Sequence, residues 1–248
     1  MMNATVVSAG AAASGYYKTE GYYAADSTEG RAAAEWYGKE ADRLGLDGRV
    51  DDVIFADLLR GQTLEKDEDG LKSGRLMGRI VDGERQHRPG IDLTFSAPKS
   101  VSVAALVFED DRLIAAHDQA TRVALDYVQD NLVQTRRRES GEIRTVTGGD
   151  IIAGVFRHDT SRALDPQLHS HVVIANMMRN EDGSITSLEP KKIFEQQKLL
   201  SEIYRNELAR SAHELGYTVN RVGPHRLIEL AEVPKDVVEG FSKRRAEI

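Results

Sequence analysis

The chain contains no cysteine. Disulfide bonds, thiolate catalysis and a cysteine-type zinc site are therefore excluded, and any bound metal must be held by histidine, aspartate or glutamate. No run of eighteen apolar residues occurs, and no basic segment leads into an apolar stretch near the start. The sequence thus predicts no membrane insertion and no signal peptide, and synthesis in the cytosol. An excess of positive charge is missing too: 33 Lys and Arg face 40 Asp and Glu, a net charge of −7. Taken alone, that balance argues against a partner as anionic as a nucleic acid. Counterion release depends on local clusters, however, and three exist: Arg136-Arg137-Arg138, Lys191-Lys192 and Lys243-Arg244-Arg245. Each by itself reads more often as a solvated helix end than as a binding patch.

What is present is enough for a full core: 248 residues, 40% of them hydrophobic, read as one domain over residues 1–248. Within Val101 to Arg138 a long helical pattern steps through Leu113, His117, Ala120, Ala124, Tyr127 and Leu132, ending in the three arginines that the negative end of a helix dipole prefers. A second helix is predicted from about Ile193 to Leu215, with Gly216 as its C-terminal cap. Shorter helices are predicted around Arg31 to Leu44 and Asp52 to Arg60. Strand-like runs cover Ile91 to Ser96, Asp150 to His158, Leu168 to Met177, Ile185 to Leu188, Tyr217 to Val222 and Leu227 to Leu230, and Asp182-Gly183 is a hairpin turn signal. Consecutive strands without an intervening helix pair antiparallel, so the fold class is α+β: a central antiparallel β-sheet with helices packed on it. The polar segment Glu65 to Arg88 reads as a long mobile loop.

Three of the seven histidines fall in one stretch, from His158 to His169 and His171. Residues two apart point to nearly opposite sides of a helix, but share a face about 6.6 Å apart on a strand. Joint chelation by His169 and His171 therefore requires a strand, and Val172-Val173-Ile174 supplies it. His158 ends the preceding strand, and Asp165-Pro166 lies in the connection, so a hairpin would bring the third imidazole to the first two. Three neutral imidazoles leave an ion with open positions, as a catalytic site requires. The alternative is a set of satisfied strand histidines. In Ile91-Asp92-Leu93-Thr94-Phe95-Ser96 the apolar residues alternate with a polar face. If that face carries the histidines, Asp92 can accept an imidazole or a tyrosine proton; otherwise it is an ordinary solvent-facing carboxylate. Ala97-Pro98-Lys99-Ser100 reads as a strand-to-helix turn whose exposed backbone N–H groups suit phosphate.

Four of the eight tyrosines sit in Tyr16-Tyr17 and Tyr22-Tyr23. They could cover a sheet edge, stack bases, or serve as nucleophiles: a phenol of pKa near 10 needs a metal-polarised phosphate and a nearby carboxylate to attack. The tyrosine pairs, Asp92-Leu-Thr-Phe-Ser-Ala-Pro-Lys-Ser-Val-Ser102, and His158-Asp-Thr-Ser-Arg162 followed by Asp165-Pro-Gln-Leu-His169-Ser-His171 together resemble the MobF class of conjugative relaxases, the TraI and TrwC group of HUH endonucleases. The resemblance runs from about Val6 to Phe241.

That resemblance implies a site- and strand-specific single-stranded DNA endonuclease that starts conjugative transfer through a 5′-phosphotyrosine. It implies that Tyr16 makes the first nick and Tyr22 serves a later strand transfer, with Tyr17, Tyr23 and Asp92 completing the catalytic set. His158, His169 and His171 would hold a divalent ion (Mg, Mn or Zn), and Lys99, Arg157, Arg162, Lys191 and Lys192 are the expected DNA contacts. The expected partners are single-stranded DNA with an adjacent hairpin at the transfer origin, accessory relaxosome proteins and a type IV secretion coupling protein. The expected location is the bacterial cytoplasm, with export into recipient cells. The chain is expected to be a relaxase domain excised from a longer relaxase-helicase. A rolling-circle replication initiator, a transposase of the same chemistry and a non-catalytic single-strand-binding module are the alternatives.

Overall fold

The computed structural model describes residues 1–8, 34–139, 141–161, 163–223 and 227–242. In chain order it begins β1 (Met2–Val7), β2 (Ala34–Tyr37), α1 (Lys39–Leu44), α2 (Asp52–Leu59), β3 (Gln62–Asp67), β4 (Gly70–Leu76), β5 (Arg79–Val81) and β6 (Glu84–Gln86). There follow β7 (Gly90–Ser96), α3 (Lys99–Leu106), α4 (Asp111–Tyr127), a π-turn (Val128–Leu132), β8 (Gln134–Glu139), β9 (Glu142–Thr147), β10 (Asp150–Thr160) and β11 (Pro166–Arg179). The chain continues through β12 (Ile185–Thr186), α5 (Lys191–Glu195), α6 (Gln197–Glu214), β13 (Val219–Val222), β14 (Leu227–Leu230) and α7 (Lys235–Gly240). The central sheet has the order β1-β7-β11-β10-β2, with β12 paired to β11, and every pairing is antiparallel. The α+β class follows.

The pleat divides the sheet's side chains between two cores. Ile91, Leu93 and Phe95 of β7 and Leu168, Val172 and Ile174 of β11 face α3, α4 and α6, packing with Val101, Leu113, Leu125, Tyr204 and Leu208. On the other face Phe156, Val173 and Ala175 pack with Trp36, Phe55 and Leu58 beneath α1 and α2. Apolar spacing builds α4, whose buried residues Leu113, Ala116, His117, Ala120 and Ala124 recur at three or four. Asp110 caps it by accepting from the Arg112 N–H, as Asp51 caps α2 by accepting from Val53 and Ile54.

Several local expectations are corrected. Residues 65–88 are not a loop: β3–β4 and β5–β6 form two hairpins, turning at Gly70 (φ 118°) and at Asp82-Gly83 (φ 51° and 83°). Two successive positive φ values are what a tight hairpin turn needs, and Asp-Gly supplies them. The predicted helix from Arg31 begins only at Lys39, because residues 34–37 add a strand to the edge of β10. Gly38 makes the switch, with φ 111° and a backbone so close to the Ile151 carbonyl that a Cβ would lie 2.2 Å from its oxygen. The long pattern from Val101 breaks between α3 and α4 at Glu109 (φ 60°), and Arg136–Arg138 stand on β8 rather than at a helix end. There Arg136 pairs with Glu189 and Arg137 with Asp182, each at 2.6 Å. The second predicted helix is divided at Gln196 into α5 and α6.

Candidate metal centre and arginine-lined groove

The hairpin of β10 and β11 places the histidines. In its register His158 faces His169 and Phe156 faces His171, while β7 sets Ser96 opposite His169 and Thr94 opposite His171. Directly opposed residues share a face of a sheet, so all three imidazoles project from the same side, the one that carries Phe156, Val173 and Ala175, with His158 and His169 buried there. Their ring centres are 5.2, 5.4 and 5.6 Å apart. Among the described residues, no three His, Cys, Asp or Glu side chains form a ready metal-binding group as they stand. The ring separations nevertheless fit one: an ion about 2.1 Å from one nitrogen of each ring, at tetrahedral angles, sets ring centres about 5 Å apart.

Hydrogen bonds select the nitrogens. The His171 Nδ1–H donates to Asp92 Oδ2 at 2.8 Å, with the Thr94 hydroxyl 3.3 Å away. The His169 Nδ1–H donates to the Gln167 carbonyl at 2.8 Å. In both rings Nε2 is then the unprotonated nitrogen, the one that can ligate. Burial, reinforced by the neighbouring imidazoles, lowers the His158 pKa to about 3. Burial also lowers that of His169, against the pull of the Gln167 carbonyl. Neutral imidazoles at neutral pH are the donor chemistry a divalent ion needs. Asp92 is itself buried, at 6% exposure. The polar face predicted for β7 is thus the histidine face.

The cations predicted to contact DNA are placed less uniformly. Arg157 is buried on the opposite face, in register with Ser170 and ion-paired with Asp118 of α4. Half-buried Lys99 donates to the Pro166 carbonyl at 2.8 Å, and burial lowers its pKa. The start of α3 is not the exposed terminus expected: Ser100 and Ser102 are buried, bonding the Leu230 and Leu168 N–H groups. Lys192 donates to the Asn131 carbonyl at 2.8 Å, and Lys191 lies 3.8 Å from Glu195. Tyr16, Tyr17, Tyr22, Tyr23, Arg162 and the Lys243-Arg244-Arg245 cluster lie outside the described residues.

A cation-rich groove was missed by sequence reasoning. A cavity of about 520 Å³ opens between the two hairpins, β8 and the far end of β11, and Arg75, Arg79, His87, Arg88 and Arg136 line it against the single carboxylate Glu189. Arginines at 75, 79 and 88 around two Asp-Gly turns were the available signal.

An antiparallel sheet that carries a histidine centre on one face is the architecture of the HUH class. The chain belongs to the TrwC relaxase family, matching it over residues 9–248. It is 40% identical, over 254 aligned residues and 98% of its length, to the multifunctional conjugation protein TraI of Escherichia coli, of which it spans 14%. A metal-bound structure of the conjugative relaxase TrwC in complex with oriT DNA superposes with a TM-score of 0.86 at 36% identity, covering all of this chain and 81% of that one. TrwC complexed with a 27-mer DNA comprising the recognition hairpin and the cleavage site gives 0.83 at 35%, covering all of this chain and 80% of that one.

Proposed function

We propose that this chain nicks one DNA strand at a transfer origin and holds the cut end as a phosphotyrosine, starting conjugative transfer. One observation carries the reading: the register of β7, β10 and β11 gathers His158, His169, His171 and Asp92 on one face, in a chain whose relatives have been solved on oriT DNA. Residues 1–248 act as a single relaxase domain.

In this mechanism His158, His169 and His171 would hold a divalent ion, Mg, Mn or Zn, whose contribution would be to withdraw charge from the scissile phosphate. Asp92 keeps the proton of His171 on Nδ1, so that Nε2 is the nitrogen left to ligate. The Tyr16 phenol gives its proton to a base and its oxygen attacks phosphorus; the P–O3′ bond breaks and the leaving 3′ oxygen takes up a proton. The phosphodiester is exchanged rather than hydrolysed, so reverse attack by the 3′-hydroxyl reseals the strand. Tyr22 takes a later strand transfer, and Tyr17 and Tyr23 support the two nucleophiles. The arginine-lined groove receives the duplex of the adjacent hairpin by phosphate contact. Accessory relaxosome proteins, a coupling protein and export through type IV secretion complete the reading.

The test is covalent capture on oligonucleotides from the DNA flanking the gene, with Mg²⁺ or Mn²⁺. A denaturation-resistant adduct should form, map to Tyr16, and vanish with chelator or in Tyr16→Phe, while Tyr22→Phe keeps the first nick. An adduct undiminished by chelator would remove the metal from the mechanism. Adduct on another tyrosine, with Tyr16→Phe active, would overturn the division of labour.

A further inference from the structure

The face of the sheet opposite the histidines is expected to be apolar, yet it carries a buried polar chain directly behind them. Ser170 lies between His169 and His171 on β11, so its side chain points the other way, toward α4 and α6. Its hydroxyl meets His117 Nε2 at 2.8 Å, and His117 Nδ1 meets the Tyr204 hydroxyl at 2.7 Å. Ser170, His117 and Tyr204 are each fully buried. Two neighbouring observations show that this is more than one satisfied core histidine. The next residue of α4, Asp118, pairs with Arg157, which is the register partner of Ser170 and the residue before His158. Tyr204 also packs its ring against that of Phe95, the residue facing Ser170 from β7, at 5.4 Å between centres. Two consecutive residues of one helix therefore hold, from behind, the strand positions adjoining all three imidazoles.

We infer that His117 is a positioning residue for the metal centre: through Ser170 it sets the pleat of β11 from which His169 and His171 project. The inference rests on the three-histidine reading above. A strand peptide whose side chain is held on one face cannot rotate without carrying its neighbours on the other. Ligand direction is what such outer contacts control, and losing one typically weakens metal binding about 10- to 100-fold.

The histidine itself offers the discriminating variants. A glutamine amide reaches the place of Nε2 and an asparagine amide that of Nδ1, so His117→Gln can still meet Ser170, whereas His117→Asn can meet only Tyr204. Each leaves one hydroxyl without its partner, so a merely structural role moves both alike. Three quantities are measured on the purified 248-residue protein: Mn²⁺ and Zn²⁺ affinity by calorimetry, the imidazole nitrogen resonances of His169 and His171 without metal, and stability in urea. Ser170→Ala and His117→Asn should weaken metal binding about tenfold or more and shift both ring signals. His117→Gln should stay within about twofold of the parent, as should Ile193→Val, a modest truncation in the same core. Losses that track stability across all four variants, or ring signals unmoved in Ser170→Ala, would overturn the inference. If the parent itself binds neither ion, it is the metal reading that falls, and the ring resonances still decide whether His117 positions the strand.

Discussion

Lowering the pH from 7 to 5 should destabilise the protein through His117, by an amount that can be worked out. Burial first, then the positive charge of Arg157, lowers the His117 pKa from 6.5 to about 3. The unfolded chain therefore binds a proton near pH 6.5 that the folded chain refuses until about pH 3, so stability is complete above 6.5 and is lost as the pH falls toward 3. One such group costs about 1.4 kcal/mol per pH unit in that window, which integrates to about 2 kcal/mol between pH 7 and 5. The other histidines and the carboxylates also titrate, and a double difference removes them. Urea denaturation of the parent and of His117→Gln, each at pH 7 and pH 5, gives four free energies. The parent should lose about 2 kcal/mol more than the variant over that interval, against a total stability of about 5–15 kcal/mol. Parallel pH profiles would refute the reasoning, since they would mean that His117 is protonated in the folded state or that its surroundings rearrange to admit the charge.

Asp92→Asn should fold normally but bind Mn²⁺ about 10- to 100-fold more weakly by calorimetry, because the carboxylate that fixes the His171 Nδ1 proton is gone; unchanged affinity would show that Thr94 suffices. Gly38→Ala should lower stability by on the order of 2–3 kcal/mol in thermal or urea unfolding, since a Cβ at φ 111° would press on the Ile151 carbonyl. Arg79→Ala in the groove should weaken binding of a hairpin oligonucleotide and reduce the slope of log K against log salt by about one, read by titration at several salt concentrations. A slope left unchanged would take Arg79 off the phosphate backbone.

The histidine centre was legible because a strand encodes its own face: His169-Ser170-His171 can share a ligand only if extended, and Val172-Val173-Ile174 make it extended. The same alternation made the polar face of β7 readable. It failed for residues 65–88 because a two-stranded hairpin standing off the body buries little, so β4 shows no alternation of exposed and buried residues, and only the Asp-Gly turns betray it. It failed again at 34–37, where four residues join the sheet edge and an alanine-rich approach imitates a helix. His117 was visible as a member of an amphipathic stripe, but not as a polar link. Its partners Ser170 and Tyr204 are 53 and 87 residues away, and no local pattern carries such pairings.

Strand β11 runs from Pro166 to Arg179, its register with β10 shifting between Ile174 and Met178, with His169 and His171 near one end and Asn176 in the wall of the arginine-lined groove near the other. A β-strand is nearly inextensible, at about 3.3 Å per residue, so histidines and groove are separated by a bar of fixed length. Nor can that length drift gradually in evolution. Inserting or deleting one residue between His171 and Ile174, where the pairing with both β7 and β10 is regular, would turn one of the two ends through to the wrong face of the sheet. Only steps of two residues, about 6.6 Å, keep both ends facing as they do. Among relatives the distance from groove to cleavage centre should therefore be quantised, and a protein that came to cut at a slightly different distance from its duplex would have to change its loops or its DNA and leave this strand alone.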